Sequence, residues 1–339
     1  MENPPELRRR LWLFSRGADF WLACGGASAA ILAAIALIFF HGDREIDAID
    51  FVLSEFHLGA TYGAVVRRRL WRRMPADVLA APLMILALTY GLAVSGRQML
   101  LTSIAMYAAV WHRGRQSFGV ARFYQTQAGG PVSRAHDLLL QAAIYLPMAA
   151  ATLAFTHGSP RTYEGDGYLA LDLGARTTAL ASITAAVAVA AYLAYALWQN
   201  RGGRVDAQGA PFRWLHPGEW WVVLAHAAAF GSSYALGATN ASFLLVLAVH
   251  HEIQYLYFTY AMARRSAGCS AASASAATPF WRREARALAS FLVWPVIGFS
   301  GAIAGSALQL SWLAPLGVGG LYSHYWLDGR IWTRRAMQN

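Results

Sequence analysis

The 339-residue sequence contains no lysine, only two cysteines, and charged side chains at only 14% of its positions. Soluble domains of ordinary composition carry about a quarter of charged residues. Cys24 and Cys269 are too few and too far apart to form a disulfide framework or a thiolate metal site. These shortages indicate a chain that does not fold as an ordinary soluble protein.

Several catalytic signatures are also missing from the sequence. It has no P-loop, no GxGxxG dinucleotide fingerprint and no HExxH zinc-protease motif. It has no DDxxD pair of the kind that a prenyltransferase uses to hold metal and diphosphate. Nucleotide-driven, nicotinamide-dependent and peptidase functions are therefore not supported by any motif.

Apolar residues dominate what is present, at 57% of the chain. Because about 20 apolar residues are needed for a helix to cross a bilayer, the runs predict an all-α polytopic membrane helix bundle. We expect one transmembrane domain over residues 1–339, with the Ala/Ser-rich stretch 266–278 as a flexible cytoplasmic linker. We predict about ten spans, at roughly 19–40, 46–66, 76–94, 98–118, 135–155, 174–198, 219–237, 240–262, 286–310 and 312–330.

The net charge of +10 comes entirely from arginine. These arginines cluster beside apolar runs rather than along one soluble face, so they do not indicate a nucleic-acid partner. With ten spans and both termini cytoplasmic, most clusters fall inside, as the positive-inside rule requires. We therefore expect an integral protein of a bacterial inner membrane, with few arginines outside: Arg44, Arg97, Arg161 and Arg176.

Histidines inside or beside the apolar runs are the main functional signal. An ionisable group in hydrocarbon is costly, so its presence there suggests a function, and imidazole is the commonest metal ligand. At 1.5 Å rise per residue, His57, His251 and His324 lie about 9–20 Å from the arginines that end their spans. Because these three spans run in the same direction, we expect their imidazoles to meet in the cytoplasmic half of the membrane.

Spacing along the helices supports this convergence. Asp50, Ser54, His57 and Thr61 recur at intervals of four, three and four, which places them on one helix stripe. His324 and Asp328 are four apart, so the carboxylate could orient the imidazole or ligate the same ion.

The run HHEIQYLY adds two imidazoles, an amide and phenols to a further span, whereas His226 stands alone and is expected to be a hydrogen-bonded packing residue. We predict the metal ligands to be His57, His112, His250, His251, His324 and Asp328. We expect catalytic or pocket-lining roles for Asp50, Gln254, Tyr255 and Tyr257. A polar substrate group would be held at the cytoplasmic rim by Arg113, Arg115 and Gln116.

On His57, His112, His250, His251 and His324, the chain resembles, in general character, the histidine-rich membrane non-haem iron enzymes. These include fatty-acid desaturases and hydroxylases and the bacterial carotene-cleaving dioxygenases. The desaturase boxes HxxxH and HxxHH do not occur here. The resemblance implies an iron-dependent oxidoreductase, of oxygenase or desaturase type, acting on a lipid or isoprenoid within the bilayer.

Two alternatives remain open on the sequence alone. Two imidazoles facing each other from different helices could bind a haem. Buried histidines and carboxylates could also form the proton relay of a transporter.

Overall fold

A computed structural model describes most of the chain, in the ranges 12–25, 43–127, 133–158, 162–163, 166–201, 216–237, 243–266, 280–307 and 314–331. Within these ranges, apart from two strands of two residues each, Thr162–Tyr163 and Asp166–Gly167, the regular elements are helical. The long helices are α1 (Asp43–Arg67), α2 (Ala81–Val94), α3 (Gln98–Gln127), α4 (Arg134–Gly158), α5 (Gly174–Arg201), α6 (Pro217–Gly237), α7 (Leu244–Ser266), α8 (Phe280–Ala307) and α9 (Ala314–Ile331). The predicted helical class is confirmed for the described residues.

Three helices in the described ranges are long and apolar enough to cross a membrane: Ala76–Val94, Arg134–Gly158 and Gly174–Gln199. The first comprises a π-helical turn, Ala76–Ala80, and α2. Ten spans and two cytoplasmic termini stay predictions. Most of the first predicted span, from residue 26 onward, and nearly all of the predicted linker 266–278 lie outside the described residues.

The chain divides into two compact units. The first unit comprises Met1–Asp47, Arg113–Glu164 and Ala170–Gln254, and the second comprises Ala48–His112, Gly165–Leu169 and Tyr255–Asn339. Helices α1, α3 and α7 each contribute residues to both. Whether the whole chain acts as one transmembrane domain stays a prediction.

In the second unit, α1 approaches α8 closely because α1 carries glycines on the contacting face. A Cβ added to Gly59 would lie 2.5 Å from Pro295 Cα and 2.6 Å from the Trp294 carbonyl oxygen. One turn later, a Cβ on Gly63 would lie 2.9 Å from the Trp294 ring. Small residues four apart let helix backbones approach in this way, and here they hold the α1 segment that contains His57 and Thr61.

Helix α9 packs against α2 in the same unit. Gly319 of α9 faces Leu86 and the hydroxyl of Thr89, where an added Cβ would lie 2.5 Å from the Thr89 oxygen. Further along, Leu327 and Ile331 are buried with Leu70 in one apolar cluster. These contacts fix the rotation of α9, and therefore the direction in which His324 and Asp328 point.

In the first unit, α4 packs against α5 and α6. Buried polar contacts join these helices: His136 Nε2 lies 2.5 Å from Glu219 Oε1, and Tyr192 donates a hydrogen bond of 3.0 Å to the same oxygen. The predicted packing role of His226 agrees with its contact, since its Nε2 lies 3.0 Å from the carbonyl oxygen of Ile144.

Candidate metal centre

Three imidazoles and one carboxylate meet inside the second unit. His57 comes from α1, His112 from α3, and His324 and Asp328 from α9. One ligand atom from each lies within 4.8 Å of the others, and all four side chains are buried. Asp328 Oδ2 lies 3.8, 3.6 and 3.9 Å from Nε2 of His57, His112 and His324 in turn.

Atoms bound at about 2.0–2.2 Å to a common ion stand roughly 3–4 Å apart, whether the geometry is tetrahedral or octahedral. The three distances from Asp328 Oδ2 fall in this range, and all four ligand atoms lie within 4.8 Å of one another. The group of His57, His112, His324 and Asp328, which we call the 3His–Asp group, could therefore hold a metal ion.

The two oxygens of Asp328 have different surroundings. Oδ1 accepts hydrogen bonds from the Tyr255 hydroxyl at 2.6 Å and from the Thr61 hydroxyl at 3.0 Å. Oδ2 instead faces the three imidazoles. Because a ligating carboxylate is normally oriented by hydrogen bonds to its other oxygen, this arrangement presents Oδ2 as a single, directed ligand atom.

Thr61 also orients His324. His324 Nδ1 lies 2.8 Å from Thr61 Oγ1. Thr61 has one hydroxyl proton and two further oxygen neighbours, Asp328 Oδ1 at 3.0 Å and the Tyr255 hydroxyl at 2.5 Å. With that proton directed to either oxygen, Thr61 accepts from the Nδ1–H of His324. The lone pair of His324 then resides on Nε2, the atom that faces Asp328 Oδ2. The hydrogen bonds thus select the tautomer that can bind a metal.

Aromatic stacking sets the planes of the other two imidazoles. The His57 ring lies over the Tyr255 ring at 4.0 Å between centroids, and the planes differ by 26°. The His112 ring stacks on Tyr325 at 4.6 Å and 28°. Tyr255 therefore has two roles, because the same side chain covers His57 and donates to Asp328.

Helical spacing explains how three helices can supply four ligands and a hydroxyl that orients them. His324 and Asp328, and likewise His57 and Thr61, are separated by four residues and so share a helix face. The predicted stripe on α1 thus contributes one ligand and the hydroxyl that orients two others. Sequence reasoning placed Thr61 on this stripe without assigning it a site role, and it did not identify Tyr325, whose only signal is its position next to His324.

Two predicted ligands are not members of the 3His–Asp group. His250 and His251 are buried on the part of α7 that belongs to the first unit. Their role as ligands stays a prediction. Tyr255 of α7, one helical turn beyond His251, contacts the group through Asp328.

The remaining predicted site residues have varied environments. Gln116 donates to the His251 carbonyl oxygen at 2.8 Å and to Gln254 Oε1 at 3.0 Å, and Gln254 donates to the Ala23 carbonyl oxygen at 2.7 Å. Both amides therefore join backbone segments of the first unit. Of the other predicted residues, Arg113 and Tyr257 are half-buried, Arg115 is exposed, and the side chain of Asp50 lies outside the described part.

No protein-family model matches the chain, and no match was found among curated proteins or solved structures. The site is therefore interpreted from its own geometry.

Proposed function

We propose that the chain is a membrane-embedded metalloenzyme whose 3His–Asp group binds one divalent ion, with non-haem iron as the favoured metal. The observation that carries the proposal is the convergence of one ring nitrogen from each of three histidines and one carboxylate oxygen within 4.8 Å of one another in a buried site. Three helices supply these ligands, and hydrogen bonds from Thr61 and Tyr255 orient them.

The types of ligand in the 3His–Asp group favour iron over softer metal ions. Imidazole and carboxylate ligands without thiolate suit iron, and an octahedral ion bound by four protein atoms keeps positions for further ligands. The single carboxylate lowers the charge of a divalent site to +1, and the two hydrogen bonds donated to Oδ1 stabilise the ionised carboxylate in its buried environment.

We propose a lipid or isoprenoid as the substrate, and an oxidative reaction of oxygenase or desaturase type as the chemistry. Support for this proposal comes from the buried position of the group in a chain with three helices that are long and apolar enough to cross a membrane. When bound, iron would supply the redox chemistry, while the residues of the chain exclude water and hold the ligands in place.

The geometry does not favour a bis-histidine haem at this place. A porphyrin occupies the plane between two axial imidazoles, whereas here a third imidazole and a carboxylate converge on the same point. A four-coordinate structural zinc site is the strongest rival, because four protein ligands close a tetrahedral site.

Metal analysis of protein purified in detergent tests the proposal. We expect about one iron per chain in the parent, and loss of that iron in His112→Ala and Asp328→Asn. The matched control is His157→Ala, which removes an exposed imidazole that pairs with Asp172. It should retain the parent stoichiometry.

Spectroscopy then distinguishes the iron enzyme from a structural zinc site and from a haem protein. Nitric oxide should give an iron–nitrosyl electron paramagnetic resonance signal if the ion has an open position. Stoichiometric zinc with no nitrosyl signal would replace the enzyme proposal with a structural site, and a Soret band lost in His112→Ala would replace it with haem. Oxygen uptake that depends on added lipid or isoprenoid tests the reaction, and its absence in iron-loaded protein would contradict it.

A further inference from the structure

The second unit also has a cluster of arginines that includes none of the metal ligands. Between α1 and the candidate span Ala76–Val94, the sequence RRRLWRR (residues 67–73, the basic turn) has five arginines in seven residues. Arg69, two residues after the end of α1, adopts a left-handed conformation with φ of 52°. Leu70 is then buried with Met74 and Val78. The basic turn is thus a built structure with an apolar anchor.

The first two arginines are used inside the protein. Arg67 Nη1 donates to the Ser290 carbonyl oxygen at 3.0 Å, and Arg68 Nη1 donates to the Ile331 carbonyl oxygen at 3.1 Å. Both guanidinium groups are half-buried. They attach the turn to α8 and α9, and they leave the other three arginines of the turn on the outside, namely Arg69, Arg72 and Arg73.

Two tryptophan–arginine pairs flank the same end of the candidate span. The Arg72 guanidinium lies 4.6 Å from the centre of the exposed Trp71 ring. On α9, Arg330 lies 4.5 Å from the exposed Trp326 ring. Indole rings are enriched where a membrane meets water. Trp326 also donates to the Asp77 carbonyl oxygen at 3.0 Å, which ties this second pair to the start of the span.

Exposed charged residues of the basic turn are followed along the chain by exposed apolar residues at the start of the candidate span. The Asp77 carboxylate pairs with Arg330 at 3.2 Å, so it does not cancel the charge of the basic turn. Immediately beyond, Leu79 and Leu83 are exposed one helical turn apart on the span. Exposed guanidinium groups next to exposed leucines on a candidate membrane span match the two halves of a phospholipid, a phosphate and its acyl chains.

We propose that the basic turn binds an anionic phospholipid. Its phosphate would contact the exposed arginines of the turn, Trp71 would lie at headgroup depth, and its acyl chains would follow Leu79 and Leu83. This site is independent of the metal proposal, because none of the four metal ligands belongs to it.

Native mass spectrometry of the detergent-solubilised full chain, titrated with phosphatidylglycerol or phosphatidylcholine, tests the site. We expect phosphatidylglycerol to bind more tightly. Each arginine near an anionic lipid surface contributes on the order of a factor of five in affinity. Arg72→Gln/Arg73→Gln should therefore weaken phosphatidylglycerol binding about thirtyfold. The matched control is Arg134→Gln/Arg176→Gln, which removes two exposed arginines of the first unit and should leave binding unchanged.

Three results would overturn the proposal. Equal losses in the two double variants would mean that only total charge matters. Equal binding of both lipids to the parent would mean that the contact is apolar. Displacement of phosphatidylglycerol by millimolar inorganic phosphate, with phosphate itself bound at the turn, would mean that the site recognises a free anion rather than a lipid.

Discussion

At the scale of single residues, Asp328 shows how a carboxylate can be buried beside three imidazoles. Its Oδ1 accepts from Thr61 and Tyr255, while Oδ2 faces the histidines. Burying an ionised carboxylate is costly unless hydrogen bonds and a counter-charge compensate. The two hydroxyls supply the hydrogen bonds, and a bound cation would supply the charge.

Removing one hydroxyl should therefore weaken metal binding without removing a ligand. We expect Tyr255→Phe to lower metal affinity about 10–100-fold, as is typical when a residue that orients a ligand is changed. The phenyl ring should still stack on His57, so the fold should be retained. Competition with a chelator of known affinity measures the change. The control is Tyr322→Phe, which loses a 2.6 Å hydrogen bond to the backbone carbonyl oxygen of Leu101 rather than one to a ligand. Similar losses in both variants would contradict a specific role for Tyr255.

Thr61 allows a second test at the same scale. Thr61→Val keeps the shape of the side chain but removes the oxygen shared by His324 and Asp328. We expect metal affinity to fall about 10–100-fold. Thr61→Ser keeps the hydroxyl and should restore most of the affinity, again measured by chelator competition. If valine and serine bind metal equally well, the hydrogen bonds of Thr61 do not orient the ligands.

Single residues also mark the limit of what the sequence could predict about the site. Burial of histidine in apolar runs identified His57, His112 and His324, and the spacing of four identified Asp328. The same signals selected His250 and His251, which are not members of the 3His–Asp group. Which imidazoles converge depends on helix rotation and tilt, and these follow from contacts such as that of Gly319 with α2. Spacing within one helix does not contain that information.

At the scale of elements, the position of α1 depends on its close approach to α8. Gly59 lies two residues after His57 and two before Thr61, and it faces the backbone of Trp294 and Pro295. Because the neighbouring atoms are backbone and a proline ring, they cannot rotate away. A side chain at this position must displace α1 itself, and both site residues would move with it.

Gly59→Ala should therefore reduce stability and metal binding together. Overpacking of this kind typically costs about 1–3 kcal/mol, and we expect a lower thermal unfolding temperature with reduced metal occupancy. Gly91→Ala is the matched control, since Gly91 lies in α2 with no atom near an added Cβ. There alanine should stabilise the helix by about 0.5–1 kcal/mol. An unchanged unfolding temperature and full metal occupancy in Gly59→Ala would show that α1 can shift without cost.

Helix boundaries were predictable to different degrees. The apolar run 174–198 corresponds closely to Gly174–Arg201, because both the run and the helix end near Arg201. The run 98–118 ends nine residues before α3 does, at Gln127. Polar residues such as Arg122 and Gln125, which bond to each other at 2.6 Å, continue the helix beyond the apolar part. Hydropathy detects only the apolar part of a helix that would cross the membrane. The predicted span is therefore shorter than the helix wherever the helix continues beyond that part.

At the scale of the whole molecule, the distribution of arginine predicts a topology that hydropathy alone does not. Three helices of the described residues meet a strict criterion of length and apolar character. Helices such as α1 and α7 contain buried histidine and acidic residues, which lower their hydropathy even where they face the protein interior. The positive-inside rule uses different information, because it assigns each loop to one side of the membrane from its arginine content. It favours an even number of spans with both ends inside.

Cysteine accessibility tests this topology. In a background of Cys24→Ser and Cys269→Ser, Ser95→Cys lies in the turn between α2 and α3, and Arg134→Cys lies at the start of α4; both positions are exposed. Ten spans place Ser95 outside and Arg134 inside. We therefore expect a membrane-impermeant maleimide to label Ser95→Cys in intact cells and Arg134→Cys only after permeabilisation. Labelling of both positions from the same side would require a different number of spans between them. Labelling of Arg134→Cys alone in intact cells would invert the orientation and place the basic turn at the outer surface.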